Sequence, residues 1–212
     1  QVINTTKNNL DHFAPADESA KCLLENSLRE AHTMIKASRF MNEKDPHSTA
    51  VMLLLLLPGR VAWAHCGDSR LYRFRGKELL GRTVDHSYVE HLISSGRITA
   101  EQAMTHPNRN VLLTSLGGQD EPKMDFADTD DLLAGDAFVL CSDGLWGYFQ
   151  DDELATLVAE NSARDACEIL IDKARQRGEG NGDNISLAII KLVEALADKP
   201  KPPTGFVPRL NS

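Results

Sequence analysis

Three aspartates sit beside glycine at the ends of apolar runs, a setting in which carboxylates bind hard cations. Phe138-Val139-Leu140-Cys141-Ser142 leads straight into Asp143-Gly144, so an acid is delivered where a buried strand should stop and glycine permits a sharp, open turn. Forty residues on, Gly182-Asp183-Asn184 repeats the arrangement in mirror order, the acid leading into Ile185-Ser186-Leu187-Ala188-Ile189-Ile190. Seventy-five residues before Asp143, Gly67-Asp68-Ser69-Arg70 follows the strand-like Val61-Ala62-Trp63-Ala64-His65-Cys66. Asp beside Gly is also ordinary turn chemistry, so any one of these alone reads more simply as a turn. Three acids at three strand ends can converge, and Mg2+ or Mn2+ suits all-oxygen ligation.

Composition bounds what such a site could serve. With 212 residues, 42% of them hydrophobic and 25% charged, the chain is long enough for one well-buried domain and short for two. A formal charge of −8 and a pI near 5.3 argue against nucleic-acid binding, which needs clustered Lys and Arg. Bound divalent cations would reverse the local sign for an anionic substrate. Cys22, Cys66, Cys141 and Cys167 show no CxxC spacing and sit among apolar neighbours, which predicts buried free thiols in a reducing compartment. None has an arginine six residues later, so a cysteine-phosphatase loop is absent. The longest apolar run, Val51 to Leu57, is seven residues against the roughly 20 needed to span a bilayer, and a cytoplasmic protein without membrane insertion is expected.

The elements that would carry the acids follow in order. Leu24, Leu28, Ala31 and Ile35 recur at helical spacing and predict an amphipathic helix from Asp17 to about Phe40. His32, lacking a second ligand at i+4, is expected at its surface or edge. Ala50 to Leu57 and Val61 to Cys66 predict two strands joined at Pro58-Gly59-Arg60, the leucine run implying cover on both faces. Leu71 to Phe74 and Glu78 to Leu80 predict a further hairpin, hence antiparallel pairing. Ser87 with Glu90, and Thr99 with Gln102, are capping patterns for two short helices, the first turning Val89, Leu92 and Ile93 inward. His86, His91 and His106 suggest acid–base roles, though capping, exposure and loop packing account for them better. Asp128 to Asp131 lacks the EF-hand pattern and is expected to be a solvated turn. Helices are expected from about Asp152 to Glu160 and from Ser162 to Arg177, and the Pro-rich residues 197–212 form a tail or linker beyond the 1–196 domain.

Five segments then occur in one order: Gly67-Asp68-Ser69-Arg70, Thr83-Val84-Asp85-His86-Ser87, His106-Pro107-Asn108-Arg109-Asn110, Ser142-Asp143-Gly144-Leu145-Trp146 and Gly182-Asp183-Asn184. In order and spacing they resemble the metal-dependent protein serine/threonine phosphatases of the PP2C type, in their bacterial form, from about Thr49 to Leu192. The resemblance implies an α+β fold, a four-layer α/β/β/α sandwich of two antiparallel sheets flanked by helices. It implies hydrolysis of phosphoserine and phosphothreonine in proteins by a metal-activated water, with binuclear Mg2+ or Mn2+ and a third ion. Asp143 and Asp183 match core metal ligands and Asp68 a ligand of the more weakly held third ion; the two short helices match a flap beside the active site. Implied partners are phosphorylated protein substrates and a cognate Ser/Thr kinase pathway in bacterial signalling, with a monomer expected. The alternative reading is a catalytically inactive PP2C-like module that binds phosphoproteins or regulates.

Two departures qualify that resemblance. Asn110 is followed by Val111-Leu112-Leu113-Thr114-Ser115-Leu116-Gly117, with Thr114 where the family commonly has arginine, so that arginine's role does not carry over. Residues 1 to 48 contain no match to the family's opening strands or to its Asp-Gly-x-Gly-Gly segment, whose aspartate bridges both metals. The expectation is that the natural opening segment lies outside this sequence.

Overall fold

Apolar spacing decides where each helix lies. The computed structural model describes residues 4, 7, 9, 10, 19–38, 46–56, 59–179 and 182–194. Helix α1 (Ala20–Ser38) buries Leu24, Leu28, Ala31 and Ile35 along one stripe, and Ser19 opens it by accepting the Cys22 N–H at 3.1 Å. Its stripe covers one face of a three-stranded sheet, where Ala50, Met52, Ala62, Ala64 and Cys66 complete the cluster. That sheet has the order β1 (Ala50–Leu56), β2 (Arg60–Cys66), β5 (Asp125–Thr129).

The second sheet has the order β4 (Glu78–Arg82), β3 (Arg70–Arg75), β6 (Asp136–Cys141), β7 (Leu187–Lys191), and every pairing in both sheets is antiparallel. Tyr72, Phe74, Val139 and Cys141 on its outer face meet Leu154, Val158, Leu170 and Ala174 from α5 (Asp151–Glu160) and α6 (Ala163–Arg177). Val61, Leu71 and Phe138, with Leu53, Trp63 and Ile190 around them, fill the space between the sheets. The expected α/β/β/α layering is therefore observed. β1 has cover on both faces at its start, but Leu55 near its end is 43% exposed.

The structure corrects several sequence readings. His32 is buried and accepts the Gly117 N–H on Nδ1 at 3.1 Å, a packing role the helical wheel does not reveal. Of the turn expected at Asp128 to Asp131, Asp128 and Thr129 instead end β5 and only Asp130 and Asp131 lie beyond it: Phe126 supplies the strand's one large apolar anchor, and Asp128 faces outward to Arg60 at 2.6 Å. The sharp turn expected at Asp143-Gly144 is a single helical turn, α4 (Asp143–Trp146). Cys66 and Cys141 are buried as expected, whereas Cys22 is exposed and Cys167 half-buried; all four are free. No helix among the described residues is long and apolar enough to cross a membrane. The expected tail, residues 197–212, lies outside the described residues.

Asp136 ties β3 to β6. Its carboxylate is fully buried and accepts from Arg75 Nε at 2.7 Å and an Arg73 terminal nitrogen at 2.9 Å. Burial alone would raise its pKa, but the two guanidiniums hold it down to about 2. Because the folded value lies below the ordinary 3.8, the ionised carboxylate stabilises the fold fully above about pH 4 and loses that contribution as pH falls toward 2. Melting temperatures between about pH 5 and 2 should fall less steeply for Asp136→Asn than for the unmodified protein. Parallel pH curves would refute this role.

Candidate metal centre

Each candidate ligand is held by backbone as well as by its own loop. Gly67 adopts φ +99, and a Cβ there would lie 2.3 Å from the Thr49 methyl, so only glycine brings the chain past β1 into the Asp68 turn. The turn is fastened on every side. Gly67 N–H donates to His86 Nδ1 at 3.2 Å, His86 N–H donates to the Gly67 carbonyl at 2.9 Å, and the Thr49 and Ser69 hydroxyls meet at 2.8 Å. Trp146 Nε1 donates to the Asp68 carbonyl at 2.9 Å, which joins the Asp68 turn to α4, the helix that begins at Asp143.

Asp143 and Asp183 are brought together by Ser142. Its hydroxyl donates to the Asn184 carbonyl at 3.1 Å and accepts the Ser186 N–H at 3.0 Å. Gly144 lets the two loops approach: a Cβ would lie 2.5 Å from the Asn184 carbonyl oxygen and 3.2 Å from that of Asp183. Both obstacles are backbone and cannot swing aside. Gly144→Ala should therefore push the loops apart and weaken Mn2+ binding by about tenfold or more, a loss typical of disturbed outer-shell support. Gly118→Ala, whose Cβ would make an ordinary 3.5 Å contact, is the control and should leave affinity unchanged in calorimetric titration.

Asp68, Asp143 and Asp183 line one cavity of 830 Å³. Burial pushes the Asp68 carboxyl up to about 6, and the negative charges of Asp143 and Asp85 push the same way. Asp143 is raised as well, first by burial and then by Asp183. Such crowding of partly buried carboxylates opposes itself unless a cation joins them, and with oxygen as the only donor the set fits a hard divalent ion. The fit is that of an open site: the three carboxylates do not bring one oxygen each within 4.8 Å of one another.

Beneath the acids lies a platform to which sequence reading assigned no role. The Arg70 guanidinium is bidentate on Asp85 at 2.8 and 2.7 Å, donates to the Tyr72 hydroxyl at 3.1 Å, and stacks on the Trp146 ring with its carbon 3.5 Å from the centroid. Burial lowers the Arg70 pKa, but the Asp85 carboxylate outweighs burial and holds it above its ordinary value. Arg70, Asp85 and Trp146 all reach the cavity wall. Local pattern does not pair them; Arg70 at the start of β3 and Asp85 in the loop after β4 come opposite each other only in the fold.

Among the described residues, the group that does converge within 4.8 Å is His65, His86 and Asp125. Register explains it, since β5 sets Asp125 directly across from His65 on β2. Hydrogen bonds show how these residues are used. His65 Nε2 lies 2.9 Å from the Val84 carbonyl and must donate; His86 Nδ1 accepts from Gly67, so its proton is on Nε2, 3.1 Å from Asp125. His86 thus turns an N–H toward Asp125 while His65 keeps its lone pair on Nδ1, and through His86 the cluster braces the Gly67 turn. His91 is exposed, and His106 accepts the Asn108 N–H in its loop at 3.1 Å. Among the described residues, none that lines the cavity is a histidine.

No protein-family model matches the chain. It is 34% identical over 151 residues to the protein phosphatase PhpP of Streptococcus pneumoniae, covering 71% of this chain. The chain spans 60% of the length of that curated relative. The crystal structure of the Mycobacterium tuberculosis serine/threonine phosphatase PstP superposes with a TM-score of 0.76 at 27% identity, covering 91% of this chain and 82% of that one. A catalytic domain of serine/threonine protein phosphatase PstP solved with two manganese ions superposes at 0.72 and 25% identity, covering 91% and 81%.

Proposed function

We propose, from the premise that the chain belongs to the bacterial PP2C-type family of protein serine/threonine phosphatases, that it hydrolyses phosphoserine and phosphothreonine in proteins with Mg2+ or Mn2+. The observation that carries this reading is the cavity that Asp68, Asp143 and Asp183 line together from three separate loops, two of them with raised pKa values. Asp143 and Asp183 are assigned to the core metal site and Asp68 to a weaker third one. Bound there, divalent cations would neutralise the phosphoryl oxygens and acidify an attacking water.

The chain's own residues supply the rest. Arg70, Asp85 and Trp146 fix the distance between the Asp68 turn and α4, so the acids need little rearrangement on binding. Among the described residues, the buried cysteines and the cavity-wall serine are poorly placed for covalent attack. Burial drives Cys66 up to about 11 and Cys141 up to about 12, and Ser87, the serine on the cavity wall, uses its hydroxyl to cap α2 (Tyr88–Ser94) by accepting the Glu90 N–H. Substrates of this kind presuppose a serine/threonine kinase that makes them.

The test is phosphate release from phosphothreonine and phosphoserine peptides in Mn2+, with and without chelator. Release that chelation abolishes is expected. Tight Mn2+ binding with no release from any peptide would overturn the enzymatic reading in favour of a phosphoprotein-binding module.

A further inference from the structure

The cavity is much larger than a phosphorylated side chain requires. From the carboxylates it continues beneath α2 and α3 (Ala100–Met104), and its 830 Å³ is the size that accommodates a peptide segment or a drug-sized ligand. Its far wall is apolar. Of the three α2 residues expected to point inward, only Leu92 is buried; Val89 and Ile93 are half-buried and line the cavity. Met104, at the end of α3, also lines it and is 57% exposed. A capping box on α3 and the Ser87 cap on α2 hold both short helices in place, so the apolar wall is a formed surface and not a frayed end.

Charge on the same rim is mixed. Arg82 and Arg109 are set against Glu90, Asp151 and Asp152, and Arg82 already faces Asp151 at 3.6 Å. Long-range attraction would therefore not favour either an acidic or a basic flanking residue strongly. Burial of an apolar side chain against Val89, Ile93 and Met104 would be favourable, since it removes apolar area from water on both partners.

We propose that this wall is a specificity subsite: it seats one bulky apolar side chain of the phosphoprotein substrate, a residue near the phosphorylated one in the same segment. The occupant follows from continuity, because the wall and the three carboxylates share one cavity. The inference rests on the phosphatase reading above and adds selection by apolar bulk rather than by charge.

The experiment scans leucine through three positions on each side of phosphothreonine in an otherwise alanine- and serine-based peptide, with lysine and glutamate scans beside it. At one or two positions leucine should raise kcat/KM about tenfold over alanine, the scale of a well-placed aliphatic contact. Ile93→Ser and Met104→Ser should each cut that ratio at least threefold. Because the ratio compares two peptides on one protein, a partly misfolded preparation does not change it. Leucine indistinguishable from alanine everywhere, a gain that survives both substitutions, or a larger response to lysine or glutamate would overturn the subsite while leaving the phosphatase reading intact. Release from no peptide would overturn that reading, and the subsite with it.

Discussion

Asp143→Asn is expected to lower Mn2+ affinity and peptide dephosphorylation together, each by more than about a hundredfold, the upper end of what losing even an outer-shell partner costs. Without metal the same substitution should make the protein more stable at pH 7. Burial and the neighbouring Asp183 raise the Asp143 pKa, and burial with Asp143 and Asp85 raises that of Asp68 to about 6. An acid whose pKa is higher in the fold than in the unfolded chain resists folding once ionised. For Asp68 the cost is absent well below pH 4, where both states are protonated, and grows until the pH passes about 6, where Asp68 ionises in the fold. Removing the Asp143 charge relieves its own cost and part of that on Asp68. Asp183→Asn should match it in metal binding with a smaller stability gain, because Asp183 is exposed. Thermal melts with and without Mn2+, alongside calorimetric titration, read all of this. A variant that loses both metal affinity and metal-free stability has been misread as a ligand change and is a folding defect; undiminished turnover would remove Asp143 from the site.

The two-sided cover of β1, the helix that lies on it and the turn positions of the three acids were legible in the sequence because they depend on local pattern, whereas the four-layer sandwich followed from the family resemblance. A leucine run needs cover on two faces, a helical stripe needs a sheet to lie on, and an acid next to glycine ends a strand. What escaped depends on pairing between distant strands. Asp125-Phe126-Ala127-Asp128-Thr129 has one large apolar residue in five and offers no alternation to detect, yet it forms β5 because β2 presents a free edge and Phe126 fits the α1 cluster. His65, His86 and Asp125 come together only through that register. His32 looked peripheral because its partner, the Gly117 N–H, lies 85 residues away. Gly144 was read as turn chemistry; the structure uses it for the close passage of residues 183 and 184, a constraint invisible until both loops are placed.

Arg70 and Asp85 should behave alike toward stability and oppositely toward metal. Their side chains are 13% and 6% exposed and share two hydrogen bonds, so either alone is a stranded buried charge. Asp85→Asn and Arg70→Met should each cost on the order of 3–5 kcal/mol, which lowers the melting temperature by roughly 10 °C in a chain of this length. The double variant should recover a large part of that loss, since it leaves neither charge unpaired. Metal affinity separates the two. Asp85→Asn leaves the guanidinium uncompensated beside Asp68, whose burial-raised pKa Arg70 only partly offsets, and should weaken Mn2+ binding about tenfold, the effect of a unit charge several ångströms away in a partly wet site. Arg70→Met leaves Asp85 as one more carboxylate facing Asp68 and Asp143, so Mn2+ affinity should hold or rise, while methionine keeps an apolar contact with the Trp146 ring. Titrations at low and high salt add a check, because the difference between the two variants should narrow as ions screen it. If both substitutions weaken Mn2+ equally, the platform acts only by holding Trp146 and the Asp68 carbonyl in place; if neither destabilises the fold, the pair does not carry the junction between β3 and the turn before α2.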